Sequence, residues 1–206
     1  VNTIQALRED LAKTIADLHG RRWCDGTGGN FSVVIQQDPT HLLMAPSGVD
    51  KGQIKPEQLV IVNEEQNVIH GKGQASAETA LHFEIIKGLN CATVLHTHSI
   101  NSTVLSEHLA TEKRIRIEGW EMLKGLKGIA THQTHVDIPI VANNQNMEEL
   151  KKTFHQHLIN DTPGILVAGH GLYTWGDSIA EAKRHVEILE FLIEAVWRKK
   201  LLQLIQ

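Results

Sequence analysis

The stretch Gly26-Thr27-Gly28-Gly29-Asn30-Phe31-Ser32-Val33-Val34-Ile35, followed by Asp38-Pro39 and then Leu42-Leu43-Met44, decides the fold. A glycine-rich turn feeds an apolar run too short for a helix, a proline turn reverses the chain, and a second short apolar run returns. This reads as a β-hairpin and hence an antiparallel pair. Outward from it, Pro46-Ser47-Gly48 makes the next turn and Leu59 to Val62 a third short strand. Upstream, Ile4, Leu7, Leu11, Ile15 and Leu18 step by three or four residues, the spacing of one helix face.

Downstream, helix and strand signals alternate. Ser76 to Lys87 carries Ala77, Leu81 and Ile85 at helical spacing, with Ser76 as its opening residue, and Ala92 to His98 is β-prone. A short helix is expected around Gly119 to Lys124 and a strand over Val136 to Val141. Asn146 and Glu149 resemble a capping box before Leu150, Phe154 and Leu158; Ser178 and Glu181 form a second one before a long helix with Ala182, Val186, Leu189, Ile193 and Val196 inward. Between them Ile165 to Ala168 reads as a buried strand ending at Gly169-His170-Gly171. No repeat or linker interrupts the pattern, so one α/β domain over 1–206 with a mixed or largely antiparallel sheet is expected.

Composition narrows the function. With 206 residues the chain can bury roughly 70% of its unfolded surface, so a metal is not needed to hold the core and would be functional. Twenty basic against 24 acidic residues leave no broad positive field, which excludes a nucleic-acid partner as the leading reading. Cys24 and Cys91 stand alone, as free thiols in a reducing compartment would. No apolar run approaches the roughly 18 residues of a membrane span, and the first ten residues do not read as a leader, so a cytoplasmic protein without a membrane partner is expected. Thirteen histidines are an excess that directs attention to imidazole chemistry.

His96-Thr97-His98 is the sharpest chemical signal, because residues two apart on a strand face the same way and two imidazoles can meet one cation. Two histidines so spaced also occur as an ordinary hydrogen-bonded pair. His170, between two glycines at a strand end, could add a third imidazole and leave a fourth position open. Glu121, between Trp120 and Met122, reads either as a solvated carboxylate or as one whose apolar neighbours raise its pKa for proton transfer. Glu78 lies in the first turn of its helix, where it could simply offset the helix dipole. The turns at Thr27 to Asn30, Ser47-Gly48 and Ala75-Ser76 can each offer donors to an anion, although none matches a P-loop or dinucleotide motif and no Arg or Lys lies within them.

Taken in order, Gly26 to Ser32, Ala45-Pro46-Ser47-Gly48, Ser76-Ala77-Glu78, His96-Thr97-His98 and Gly169-His170-Gly171 resemble the class II sugar-phosphate aldolase family, over nearly the whole chain. Gly119 to Lys124 and Ile138 to Gln145 are similar to a dehydratase branch within it. The resemblance implies a three-layer α/β/α domain around a mostly antiparallel sheet, with His96, His98 and His170 holding one zinc ion per subunit. It implies a sugar-phosphate substrate whose phosphate meets Gly29, Asn30, Ser47, Gly48 and Ser76, and a homo-oligomer, commonly a tetramer with its site at a subunit boundary. The acid/base would be Glu78 in an aldolase and Glu121 in a dehydratase. Ala75 and Ala77 depart from the aldolase pattern of a proline and a second serine, which favours the dehydratase. The competing expectations are an aldolase or epimerase on the same scaffold and a non-enzymatic domain of the adducin type; the retained histidines count against the latter.

Overall fold

The computed structural model describes residues 3–158 and 162–205, so the outermost residues of the expected 1–206 domain lie outside the described part. Within these residues nine strands form one sheet: β1 (Asn30–Gln37), β2 (Thr40–Met44), β3 (Val60–Val62), β4 (Val68–His70), β5 (Thr93–Thr97), β6 (Arg114–Glu118), β7 (His135–Val141), β8 (Gly164–Val167) and β9 (Gly171–Gly176). Their spatial order is β4-β3-β2-β1-β5-β9-β8-β7-β6. Among the described residues only β7 and β8 run parallel. The hairpin expected at Asp38-Pro39 is β1–β2, paired from Ser32 with Met44 to Gln37 with Thr40.

Among the described residues five α-helices cover the two faces: α1 (Thr3–Gly20), α2 (Thr79–Leu89), α3 (Ile100–His108), α4 (Met147–His157) and α5 (Ile179–Gln203). Strand alternation sorts the core. Val94, Ile165, Tyr173 and Trp175 join Leu81 and Ile85 of α2 and Leu150 and Phe154 of α4 on one side. Phe31, Val33 and Leu95 meet Leu11, Ile15 and Leu18 of α1 and Ala182 and Val186 of α5 on the other. Leu105 of α3 packs with Ile188, Leu189 and Leu192 of α5 farther along that side. The result is the expected α/β/α layering.

Local chemistry explains the helix starts. Asn146 Oδ1 accepts from the backbone N–H of Glu148 and Glu149 at 3.0 and 3.3 Å, and Ser178 Oγ from that of Glu181 at 3.1 Å. The helix expected to open at Ser76 begins instead at Thr79, with Glu78 as its capping residue. Ser76 Oγ accepts the Glu78 N–H at 3.2 Å and closes a turn ahead of the helix. The short helix expected at Gly119 to Lys124 is a 3-10 turn over Glu121–Gly125.

β5 lies mid-sheet, and its register places the site. His96 is opposite Asn30 on β1 and opposite Tyr173 on β9, so the three side chains form a row on the face covered by α2 and α4.

Candidate functional site

His96, His98 and His170 converge. Their Nε2 atoms lie 2.7 Å (His96–His98), 3.4 Å (His96–His170) and 3.1 Å (His98–His170) apart. Glu78 completes the group: Oε1 is 3.3 Å from His170 Nε2 and Oε2 is 3.8 Å from His96 Nε2. One ligand atom from each of the four residues falls within 4.8 Å of all the others.

The backbone dictates this approach. His96 Nδ1 donates to the carbonyl of Leu172 at 3.0 Å, which leaves Nε2 with its lone pair toward the cluster. The His98 N–H donates to the Trp23 carbonyl at 2.6 Å. Gly28 and Gly171 keep the approaches open, since a Cβ on Gly28 would stand 2.9 Å from His98 Nδ1 and one on Gly171 only 2.1 Å from the Thr97 carbonyl oxygen. Gly29 adopts φ +80 and its Cβ would stand 2.8 Å from the His96 carbonyl oxygen, so the turn needs glycine both for conformation and for space.

The donor set fits a divalent cation. Tetrahedral ligands at about 2.0–2.1 Å from zinc stand about 3.3 Å apart, close to two of the three nitrogen separations. Burial and then the neighbouring His170 and Lys51 charges hold His98 down to about 4, and burial with the adjacent imidazoles holds His96 well below its ordinary value. Both are therefore neutral near pH 7, as ligands must be. The His96 Nε2 lone pair faces the Nε2 atoms of His98 and His170, an arrangement that a cation between them would satisfy.

The two carboxylates sit in contrasting environments. Glu78 is part-buried, and that burial raises its carboxyl above the usual range against the pull of His170, Tyr173 and Asn30. Its Oε2 accepts from the Asn30 side-chain amide. Of the two readings open for Glu121 the structure gives the solvated one: it is 71% exposed, bonded to Lys124 Nζ at 2.6 Å and paired with His132 at 3.2 Å. The Lys124 ammonium lowers its carboxyl. Trp120 and Met122 flank it in sequence, but the 3-10 turn aims its carboxylate at solvent, outside the His/Glu group.

The three anion turns are tied together. Asn30 joins Glu78, the Ser47 N–H donates to the Gln74 carbonyl at 2.9 Å, and Lys51 Nζ donates to the carbonyls of Thr27 (3.1 Å) and Val49 (3.2 Å). The Ser47 N–H is thus committed within the protein and is not a spare anion donor. Ser47 and Gly48 are exposed, Gly48 at φ +73, while Gly29 and Asn30 are buried. Lys51 was not among the expected residues, because it lies three positions beyond Gly48; yet it is only 2% exposed and places a cation between two of these turns. Tyr173 was also missed. Its hydroxyl is buried without a partner at hydrogen-bond geometry among the described residues, and burial followed by the Glu78 charge drives it well above its usual range.

The sequence profile of the class II aldolase and adducin N-terminal domain matches residues 9–197. The chain belongs to that family. Class II aldolase relatives include a methylthioribulose-1-phosphate dehydratase of Pectobacterium atrosepticum, 40% identical over 202 residues that cover 95% of this chain and 97% of the relative. A second from Serratia proteamaculans is 40% identical over 185 residues, 88% of this chain and 89% of its own. Among solved structures, the L-fuculose-1-phosphate aldolase of Thermus thermophilus matches with a TM-score of 0.77 at 24% identity, over 97% of this chain and 99% of that one. That likeness establishes the shared fold. The class II aldolase family and the His/Glu group together suggest a divalent metal. Among the described residues no helix is long and apolar enough to cross a membrane.

Proposed function

We propose that this chain is a zinc-dependent methylthioribulose-1-phosphate dehydratase of methionine salvage, converting 5-methylthioribulose-1-phosphate to 2,3-diketo-5-methylthiopentyl-1-phosphate. The observation that carries the chemistry is the convergence of His96, His98 and His170 beside Glu78. The name borne by relatives 36–40% identical over most of the chain carries the substrate. We assign His96, His98 and His170 as the zinc ligands, with the ion supplying Lewis-acid polarisation of the ketose carbonyl.

Dehydration removes the C3 proton, releases the C4 hydroxyl as water, and leaves an enol that tautomerises to the 2,3-diketone. The protein must hold the phosphate, accept one proton and deliver another. Gly29, Asn30, Ser47, Gly48 and Ser76 are assigned to the phosphate, with Lys51 holding two of their turns in place. Glu78, raised by burial and placed at the cluster, is suited to exchange a proton with the substrate. Glu121 is the carboxylate that the dehydratase branch implies. From its exposed position it would serve a site completed by a neighbouring subunit, in the homotetramer we propose. Buried, unpaired Cys24 and Cys91 support a cytoplasmic setting.

The test is product identification with metal-loaded protein and 5-methylthioribulose-1-phosphate deuterated at C3. Loss of the label to solvent with an intact five-carbon diketone supports dehydration. The second reading, retro-aldol cleavage, is favoured by Glu78 rather than Glu121 standing at the cluster; dihydroxyacetone phosphate and an aldehyde as products would establish it.

A further inference from the structure

β5 ends at Thr97, one residue short of His98. His96 is held by ladders on both sides, opposite Asn30 and Tyr173, whereas His98 lies beyond them and must be placed by other means. Thr97 turns to the opposite face from His96 and His98, toward α5, as strand alternation requires. There its Oγ1 donates to Glu190 Oε1 at 2.9 Å. Ser99 and Ser102 donate their hydroxyls to Glu190 Oε2 at 2.5 and 2.8 Å. Ser99 Oγ also accepts the Ser102 N–H at 3.0 Å, which caps α3.

We propose that Glu190 is a positioning residue for the metal centre: its carboxylate clamps the residues on both sides of His98 and so fixes His98 Nε2 against His96 and His170. The inference rests on the metal-binding reading above.

Glu190 is 1% exposed and has no Lys or Arg ion-pair partner among the described residues; hydroxyls alone satisfy it. Its neighbours on the inward stripe of α5 are Val186, Leu189 and Ile193, all buried and apolar. An apolar side chain would complete that stripe without burying a carboxylate, so core stability is a poor account of Glu190. A carboxylate instead gives direction. Two oxygens bind three hydroxyls from positions 97, 99 and 102, tying the strand end, the turn and the start of α3 to one point on a long helix. With Thr97 and Ser99 both fixed and its own N–H bonded to Trp23, His98 has little freedom to leave the cluster. Groups that orient ligands in this indirect way govern metal affinity.

The experiment measures Zn2+ affinity of stripped protein by competition with a chromogenic chelator, alongside the unfolding midpoint of the metal-free form and the Co2+ absorption spectrum. Glu190→Ala should weaken zinc about 10–100-fold and alter the Co2+ ligand-field bands. Leu189→Ala, its buried neighbour, should lower the unfolding midpoint without weakening zinc. Thr97→Val removes a single hydroxyl with little change in shape and keeps the test open if Glu190→Ala does not fold; it should weaken zinc, and Thr97→Ser should restore it. Wild-type zinc affinity in Glu190→Ala or Thr97→Val, or equal weakening in Leu189→Ala, would overturn the proposal. Failure of the unaltered protein to bind any divalent ion would instead remove the metal reading, and this inference with it.

Discussion

The ring of Tyr173 lies face to face with the imidazole of His96, with centroids 3.8 Å apart and planes 9° from parallel. The β5–β9 register makes them direct cross-strand partners, so the stack follows from pairing and holds the face of the His96 ring while the Leu172 hydrogen bond holds its edge. Tyr173→Phe should retain the stack and bind metal as the parent does. Tyr173→Leu should loosen His96 and lower metal content after dialysis against a chelator, measured by atomic emission. Equal metal retention in both variants would show that the stack is packing alone.

His96→Ala and His98→Ala should each remove metal and activity while leaving the helical circular dichroism intact, because the core is complete without an ion. Full metal content in the double variant would move the metal site elsewhere.

The carboxylates give a ranking that discriminates mechanisms. Glu78 stands at the cluster and Glu121 in solvent beside Lys124. If Glu121 of a neighbouring subunit completes the site, Glu121→Gln lowers turnover by about 10²-fold or more with metal retained, and Glu78→Gln is less impaired. If Glu78 handles the proton within one chain, the order reverses. Turnover and metal content of the two variants, measured together, decide between these outcomes.

The hairpin, the His-x-His strand, the lone His170 and the capped helices were legible because each rests on local chemistry: alternation, turn residues, caps. β9 was missed because Gly171 to Gly176 carries two glycines and its strand character comes from pairing with β5 and β8. α3 was missed because Ile100, Val104 and Leu105 give it almost no apolar periodicity; Ser99, its cap, was the only signal. The sequence could not choose between the solvated and the apolar setting of Glu121, since neighbours in sequence share no face on a 3-10 turn. Glu190 left a trace, a carboxylate on the inward stripe of α5, but its partners lie about ninety residues upstream and only the fold supplies them.

The phosphate turns and Lys51 predict a ligand-dependent loss. Lys51→Met removes the amine that joins the Thr27 and Val49 carbonyls, and Ser76→Ala removes the hydroxyl that shapes the turn before α2. Both should weaken a phosphorylated ketose far more than its dephosphorylated form, read as separate inhibition constants. Equal losses would assign them to folding.

Gly171, next to His170, lies against the Thr97 carbonyl. A Cβ there meets backbone at 2.1 Å, which no rotamer change relieves. Gly171→Ala should therefore destabilise by about 1–3 kcal/mol or more and lower metal affinity by displacing β9 and His170 together. Denaturant midpoints and chelator competition check the two effects; an unchanged midpoint would contradict the close approach.

The metal-free protein should lose stability in mild acid. His82 is fully buried on α2, bonded through Nδ1 to Ser32 Oγ at 2.7 Å, and burial pushes it down to about 3. An unfolded histidine titrates near about 6.5. Above that value both states are neutral and His82 contributes no pH dependence. As pH falls from about 6.5 toward about 3 the unfolded chain takes up a proton that the folded one refuses, so stability drops by at most about 1.4 kcal/mol per pH unit for this group. His98, held to about 4 chiefly by burial, adds to the loss in the same direction. Denaturation of chelator-treated protein between pH 7.5 and 5 should show the decline, and His82→Gln should make it shallower. Added zinc should oppose the loss near neutrality and fail progressively as protons compete for the ligands. Stability that is flat over this range would contradict the burial of neutral histidines.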